Sequence, residues 1–163
     1  MTANRDAIDE IRAVWADRRP DLDTEPIAVV GRILRAARFL QQAADDWLAD
    51  AGVTRAEFDV LSQLRRNDAP LRPGDLTAGV VGSPAATTKR LHKLTAAGLV
   101  TRTPDPDDAR AARVALTPSG ERLVDEVLPR QLAAEAELLE ALTPAQRESL
   151  AALLRTALLA WEP

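Results

Sequence analysis

The stretch SPAATTKRLHKLTAAG, residues 83–98, decides the fold. Ser83 is placed to cap a helix, Pro84 suits its first position, and Gly98 suits its end. At about 100° per residue, Thr87, Leu91 and Leu94 fall on one side and must face a core. Ala85, Ala86, Lys89 and Lys93 fall on the opposite side. Small residues followed by lysines suit a helix that enters a DNA major groove, because bulky groups near its N-terminus would hold it out. An ordinary solvated helix face has the same pattern, so the flanking segments must decide.

Before it, Pro73 opens a short helix that ends near Gly79, and a Gly-containing turn leads to Ser83. Two short helices joined this way form the pattern of a helix-turn-helix. After it, the period changes from helical to alternating. Leu99 to Thr103 and Ala112 to Leu116 each suit a short strand, and PDPDDAR, residues 104–110, lies between them. The result is a hairpin with a polar, proline-stiffened tip, a wing. Arg110 follows Asp105, Asp107 and Asp108; one carboxylate can hold the arginine while it reaches into a minor groove. The alternatives are a solvated loop with a weak ion pair, and a calcium loop. The second is poor, because the run lacks a mid-loop Gly and its twelfth position is Leu116.

The rest of the chain is helical. Ile8, Ile11 and Trp15 form an amphipathic stripe that ends before Pro20. Thr24 can cap a second helix, with Glu25 and Pro26 in its first turn, that runs to Gly52 over roughly 27 residues or about 40 Å. Thr54 and Glu57 form a capping box for a helix from Arg55 to about Arg66. Thr117-Pro118 opens a long helix, and Thr143, Pro144 and Gln146 open the last one. These two carry more leucine than one small winged-helix core absorbs, so pairing with a second copy is expected. The expected architecture is mainly α with a small β-hairpin wing, a single winged-helix domain over residues 1–163. Residues 54–116 bind DNA, and residues 1–53 and 117–163 form a helical dimerisation region.

Charge fits that division. Residues 83–113 hold six basic and three acidic side chains, a local +3, while the remaining 15 and 22 give −7 and the whole chain −4. A basic element on an acidic body can bind phosphates while the body limits non-specific adhesion. The absence of Cys and the single His exclude thiol chemistry, disulfides and an ordinary zinc site. No G-x-G spacing or P-loop is present, and His92 has no nucleophile in local register. Neither an enzyme nor a cofactor is expected. The charged N-terminus argues against a signal peptide, and the longest uncharged run, Leu76 to Thr88, is too short to span a bilayer. A cytoplasmic location without membrane contact is the expectation.

From Thr54 to Ser119 the chain resembles the MarR-type winged-helix regulators, in "EFDVL", "GSPAATTKRLHKLTAAGLVTRTPDPDDAR" and "VALTPSGERLV". The resemblance implies a homodimeric transcription regulator that binds a palindromic operator on double-stranded DNA, usually as a repressor, and is released by a small ligand. It implies DNA contacts from Ser83, Ala85, Ala86, Thr88, Lys89, Lys93 and Arg110. The wing departs from the common Asp-Arg-Arg, reading Asp108-Ala109-Arg110. A narrower resemblance is to the urate-responsive branch of that family. It rests on Trp15, "RPDLDTEPIAVVGR" ending at Arg32, Asp59, Arg90 and Arg102, and implies that these residues hold urate or another purine. Trp15 could equally dock its own helix, and the role of Asp59 rests on resemblance alone. Two alternatives stay open: a ligand-independent DNA-binding or architectural protein, and a regulator that answers to other phenolic or aromatic acids.

Overall fold

The computed structural model describes residues 5–67, 69–79, 83–106, 108 and 111–162. The backbone divides into two compact units, residues 1–43 and 44–163.

In the first unit, helix α1 (Ala7–Arg18) starts on a capping box: Asp6 Oδ1 accepts from the N–H groups of Ile8 and Asp9 at 2.9 and 3.0 Å, and Asp9 answers the Asp6 N–H. Helix α2 (Glu25–Leu48) begins differently from expectation. Asp23, rather than Thr24, supplies the side-chain oxygen, accepting from the Glu25 N–H at 2.8 Å. The Thr24 backbone carbonyl accepts from Arg12 Nε at 3.2 Å. Gly31 lies against Ile8, whose Cδ1 would stand 3.0 Å from an added Cβ, so the missing side chain lets α1 approach α2. Of the expected α1 stripe only Ile8 is buried; Ile11 and Trp15 are about half exposed.

In the second unit, α2 gives way to a 3₁₀ turn (Ala49–Ala51), so the expected long helix tightens in its last turn before Gly52. Gly52 sits at φ +68°, a left-handed conformation that favours glycine. Helix α3 (Arg55–Arg65) opens on the Thr54–Glu57 capping box. Helices α4 (Pro73–Gly79) and α5 (Pro84–Ala96) follow. Gly98, at φ +69°, turns the chain into β1 (Val100–Pro104), which pairs antiparallel with β2 (Ala112–Leu116) in the register Arg102 to Val114. Leu71 adds an isolated bridge to Val114, with both N–H···O bonds made at 2.8 and 3.0 Å. Helix α6 (Pro118–Leu138) is capped by Thr117, and α7 (Pro144–Trp161) by a Thr143–Gln146 capping box.

The core of this unit joins Phe58, Val60, Leu61 and Leu64 of α3 to Leu76, Leu91, Leu94, Val100, Val114, Val124 and Val127. Thr87, Leu91 and Leu94 are the buried residues of α5, the three that its periodicity selects. Trp47 meets Phe58 edge to face with ring centres 5.6 Å apart. Helix α7 has no buried residue, and Leu153 is 70% exposed. Among the described residues no helix is long and apolar enough to cross a membrane.

Candidate nucleic-acid interface

Helix α5 presents its polar side at the surface of the second unit. Ser83 is exposed and its Oγ accepts from the Ala86 N–H at 3.3 Å, which fixes the first turn. Ala85 is exposed and Ala86 half-buried, leaving the helix N-terminus slim. Thr88 is exposed and its hydroxyl donates to the Pro84 carbonyl at 3.0 Å. Lys89 and His92 are exposed, and Lys89 makes no ion pair or hydrogen bond among the described residues.

Lys93 differs from Lys89. Its stem is exposed, but Nζ lies 2.9 Å from Oε1 and 3.2 Å from Oε2 of Glu57. The sequence marks Glu57 only as a helix cap, and it keeps that role, accepting from the Thr54 N–H at 2.8 Å. Burial pushes its carboxyl upward, but the Thr54 N–H and the Lys93 ammonium outweigh burial and hold it below the ordinary value. The partner lies 36 residues away in sequence, beyond any local pattern.

The wing is anchored by a residue whose exact role sequence reasoning missed. Asp105 is buried, and its Oδ2 accepts from Arg72 Nε at 2.7 Å and from Arg113 Nε at 2.8 Å. Its backbone N–H donates to Ala111 O at 3.1 Å, closing the base of the hairpin. Arg113 also donates to the Pro70 carbonyl at 3.4 Å. The carboxylate thus ties the wing to the segment that enters α4. Arg110, with Asp107 and Ala109, lies outside the described residues, as do residues 80–82, where the sequence places a turn.

The five residues expected to hold a ligand fall in both units. In the first, Trp15 is 47% exposed on α1. Arg32 donates from Nε and Nη2 to Asp6 and from Nη2 to Asp9, all within 3.1 Å, and from Nη1 to the Ala28 carbonyl. The Asp9 N–H and Arg32 hold Asp6 below the usual carboxylate range, and Arg32 does the same for Asp9. Arg32 therefore clasps α1 to α2. In the second unit, Asp59 accepts from Arg55 Nε at 2.9 Å, and Arg55 also reaches Glu135 and lies over the Trp47 ring. Arg102 is exposed on β1. Arg90 is half-buried, and its Nη1 is shielded from solvent without a hydrogen-bond partner among the described residues. A buried guanidinium N–H in that state is costly and is suited to an acceptor supplied from outside. No ion pair or hydrogen bond joins Asp59, Arg90 and Arg102 to one another among the described residues.

Two helices, the second with a slim N-terminus and an unpaired lysine, followed by an anchored two-stranded hairpin, make a winged helix-turn-helix. Comparison with known proteins agrees. The MarR family model matches residues 51–111. The HTH-type transcriptional regulator PecS of Dickeya dadantii is 30% identical over 149 residues, 90% of each chain. Two solved structures are similar. One is Bordetella bronchiseptica BpsR, described for regulation of its DNA binding by 6-hydroxynicotinic acid, with TM-score 0.74 and 28% identity over 79% of this chain and 91% of that one. The other is Sco3205 of Streptomyces coelicolor, a MarR family transcriptional regulator in complex with DNA, with TM-score 0.80 and 25% identity over 87% and 91%. The chain belongs to the MarR family of winged-helix transcriptional regulators.

Proposed function

We propose that the chain acts as a homodimeric repressor that binds a palindromic operator and is released by a small anionic aromatic ligand. The observation that carries the DNA reading is the outer side of α5, where Ala85 leaves room and Lys89 is exposed and unpaired. Ser83, Ala85, Ala86, Thr88 and Lys89 enter the major groove, and Arg110 of the wing reaches the adjacent minor groove. Phosphates favour a helix N-terminus, and base edges favour a lysine beyond it. Replacing Lys89 with Ala should weaken operator binding by about 1–3 kcal/mol if it reads a base. Unchanged operator affinity in both Lys89→Ala and Arg110→Ala would overturn the winged-helix docking.

The dimer reading rests on exposed apolar side chains described within each unit. Ile11, Val29, Val30 and Leu34 are exposed in the first, and Leu128, Leu132, Leu150, Leu153 and Leu158 in the second. Apolar surface of this extent on helices rich in leucine is the mark of a protein interface. Light scattering should give about twice the 17.6 kDa chain mass. A monomer that still binds a palindrome tightly would overturn this reading.

For the ligand, the buried unpartnered Arg90 Nη1 supports an anion at α5. Within the second unit, Arg90 and Arg102 can neutralise the anion, while the Asp59 carboxylate would be repelled by the incoming charge. Urate or another purine is the first candidate. Regulation of BpsR by 6-hydroxynicotinic acid supports a second, an aromatic acid other than a purine. A ligand that prefers a dimer with differently placed α5 helices would shift the population off DNA by no more than its differential affinity.

A further inference from the structure

Lys89 and Lys93 both stand on the outer side of α5, one helical turn apart, yet their ammonium groups have different surroundings. Lys89 has no partner among the described residues, whereas Lys93 Nζ sits between the two oxygens of Glu57, at 2.9 and 3.2 Å. Glu57 has only 6% of its side chain exposed, against 60% for Lys93. If Lys93 swung to a phosphate, Glu57 would keep a buried charge and lose its cation, with the Thr54 N–H still donating to it. An exposed lysine has little to gain from the exchange, and a buried carboxylate has much to lose. Glu57 belongs to the first turn of α3, which packs its Phe58, Val60, Leu61 and Leu64 into the core. The pair therefore links the last turn of α5 to an element that cannot easily move.

We propose that Glu57 and Lys93 are positioning residues: the pair sets the seat of α5 on α3, and Lys93 is not a phosphate ligand. This deepens the DNA-binding reading and rests on it. It also takes Lys93 out of the set of lysines expected at the groove. A correctly seated α5 matters for reading bases and much less for contacting phosphates, so the pair acts on sequence discrimination.

The test compares wild type, Glu57→Gln, Lys93→Met and the double variant. Glutamine still accepts the Thr54 N–H, so the helix cap survives and only the charge offered to Lys93 is removed. Each protein is titrated against operator DNA and against a scrambled duplex over a range of salt. Both single variants should lose about tenfold on the operator, the scale of one good base contact, and keep their affinity for the scrambled duplex. Lys93→Met should leave the salt dependence unchanged. Were Lys93 a phosphate ligand, the slope would instead fall by about 0.9 for each phosphate no longer neutralised, roughly 2 per dimer. That lower slope would overturn the proposal, and so would tighter binding of Glu57→Gln to both duplexes, the result of simply removing negative charge near DNA. A merely structural role would weaken both duplexes alike, which would also overturn it.

Urea denaturation of the same four proteins tests the pair without DNA. Single-variant effects on the unfolding constant should fail to add, with a coupling of about tenfold. Additive effects would overturn the proposal. Failure of wild type to bind any duplex would count against the DNA reading itself, and the denaturation cycle would still decide whether Glu57 and Lys93 act as a pair.

Discussion

Gly120→Ala is expected to lower the stability of the fold by about 3 kcal/mol, a large part of what holds a domain this size together. Alanine normally stabilises a helix relative to glycine, by up to about 1 kcal/mol. Here the sign reverses, because a Cβ on Gly120 would overlap the Leu99 carbonyl oxygen and stand 3.1 Å from Leu116 Cδ2. The carbonyl cannot retreat freely, since it accepts from the Thr117 N–H at 3.0 Å. Thr117 in turn caps α6 through the Gly120 N–H at 3.1 Å and donates its hydroxyl to the Gly98 carbonyl at 2.7 Å. The glycine is thus where α6 leaves the wing at contact distance from the turn that ends α5. Chemical denaturation of the two proteins measures the loss. A midpoint equal to that of wild type would mean that the backbone yields there without strain.

The second large effect is expected at the base of the wing. Asp105→Ala should cost about 2–3 kcal/mol, somewhat less than breaking a fully buried pair, because both arginines retain partial access to water. The Asp105 side chain is 0% exposed and receives Arg72 and Arg113 on one oxygen at 2.7 and 2.8 Å. Removing it leaves two guanidinium groups close together without the charge that joins them. The hairpin should loosen where it meets the segment before α4, so the amides of β1 and β2 should exchange hydrogen faster in Asp105→Ala. Protection equal to wild type in both strands would show that the Leu71–Val114 bridge and the ladder hold the wing without the carboxylate.

Much of the fold is legible in the sequence because its signals are local. Caps at Thr54, Ser83, Thr117 and Thr143 each act within three residues, and the side of α5 occupied by Thr87, Leu91 and Leu94 follows from helical period alone. The hairpin shows itself by a change of period between Gly98 and Thr117. What stays hidden joins distant residues. Arg72 lies 33 positions from Asp105, and Leu71 pairs with Val114 through a single bridged residue that leaves no alternation to detect. The acidic run in the wing reads as a set of partners for the arginine beside it. The buried carboxylate, Asp105, receives Arg72 and Arg113, 33 and 8 positions away, and adjacency does not reveal either of them.

The candidate ligand residues show the same limit. Arg32 and Asp59 rest on resemblance, and each has an intramolecular partner: the Asp6–Asp9 pair for Arg32, and Arg55 for Asp59. Arg90 is half-buried on α5. No feature of a one-dimensional pattern announces that its Nη1 lacks an acceptor. The leucine excess in the last two helices is visible in sequence, and the exposure of Leu132, Leu153 and Leu158 agrees with it.

The central claim, a regulator that binds its operator and is released by an anionic aromatic molecule, is tested most directly by one titration. Purified wild-type chain is bound to the DNA upstream of its own gene, and the complex is resolved by mobility shift as urate, xanthine, hypoxanthine and 6-hydroxynicotinate are added in turn. The expected result is a discrete complex on a palindromic fragment, outcompeted poorly by scrambled DNA, and dissolved by at least one of the four compounds with a change in tryptophan fluorescence. A chain that binds upstream and scrambled duplexes equally, or a complex that none of the compounds releases, would contradict the claim.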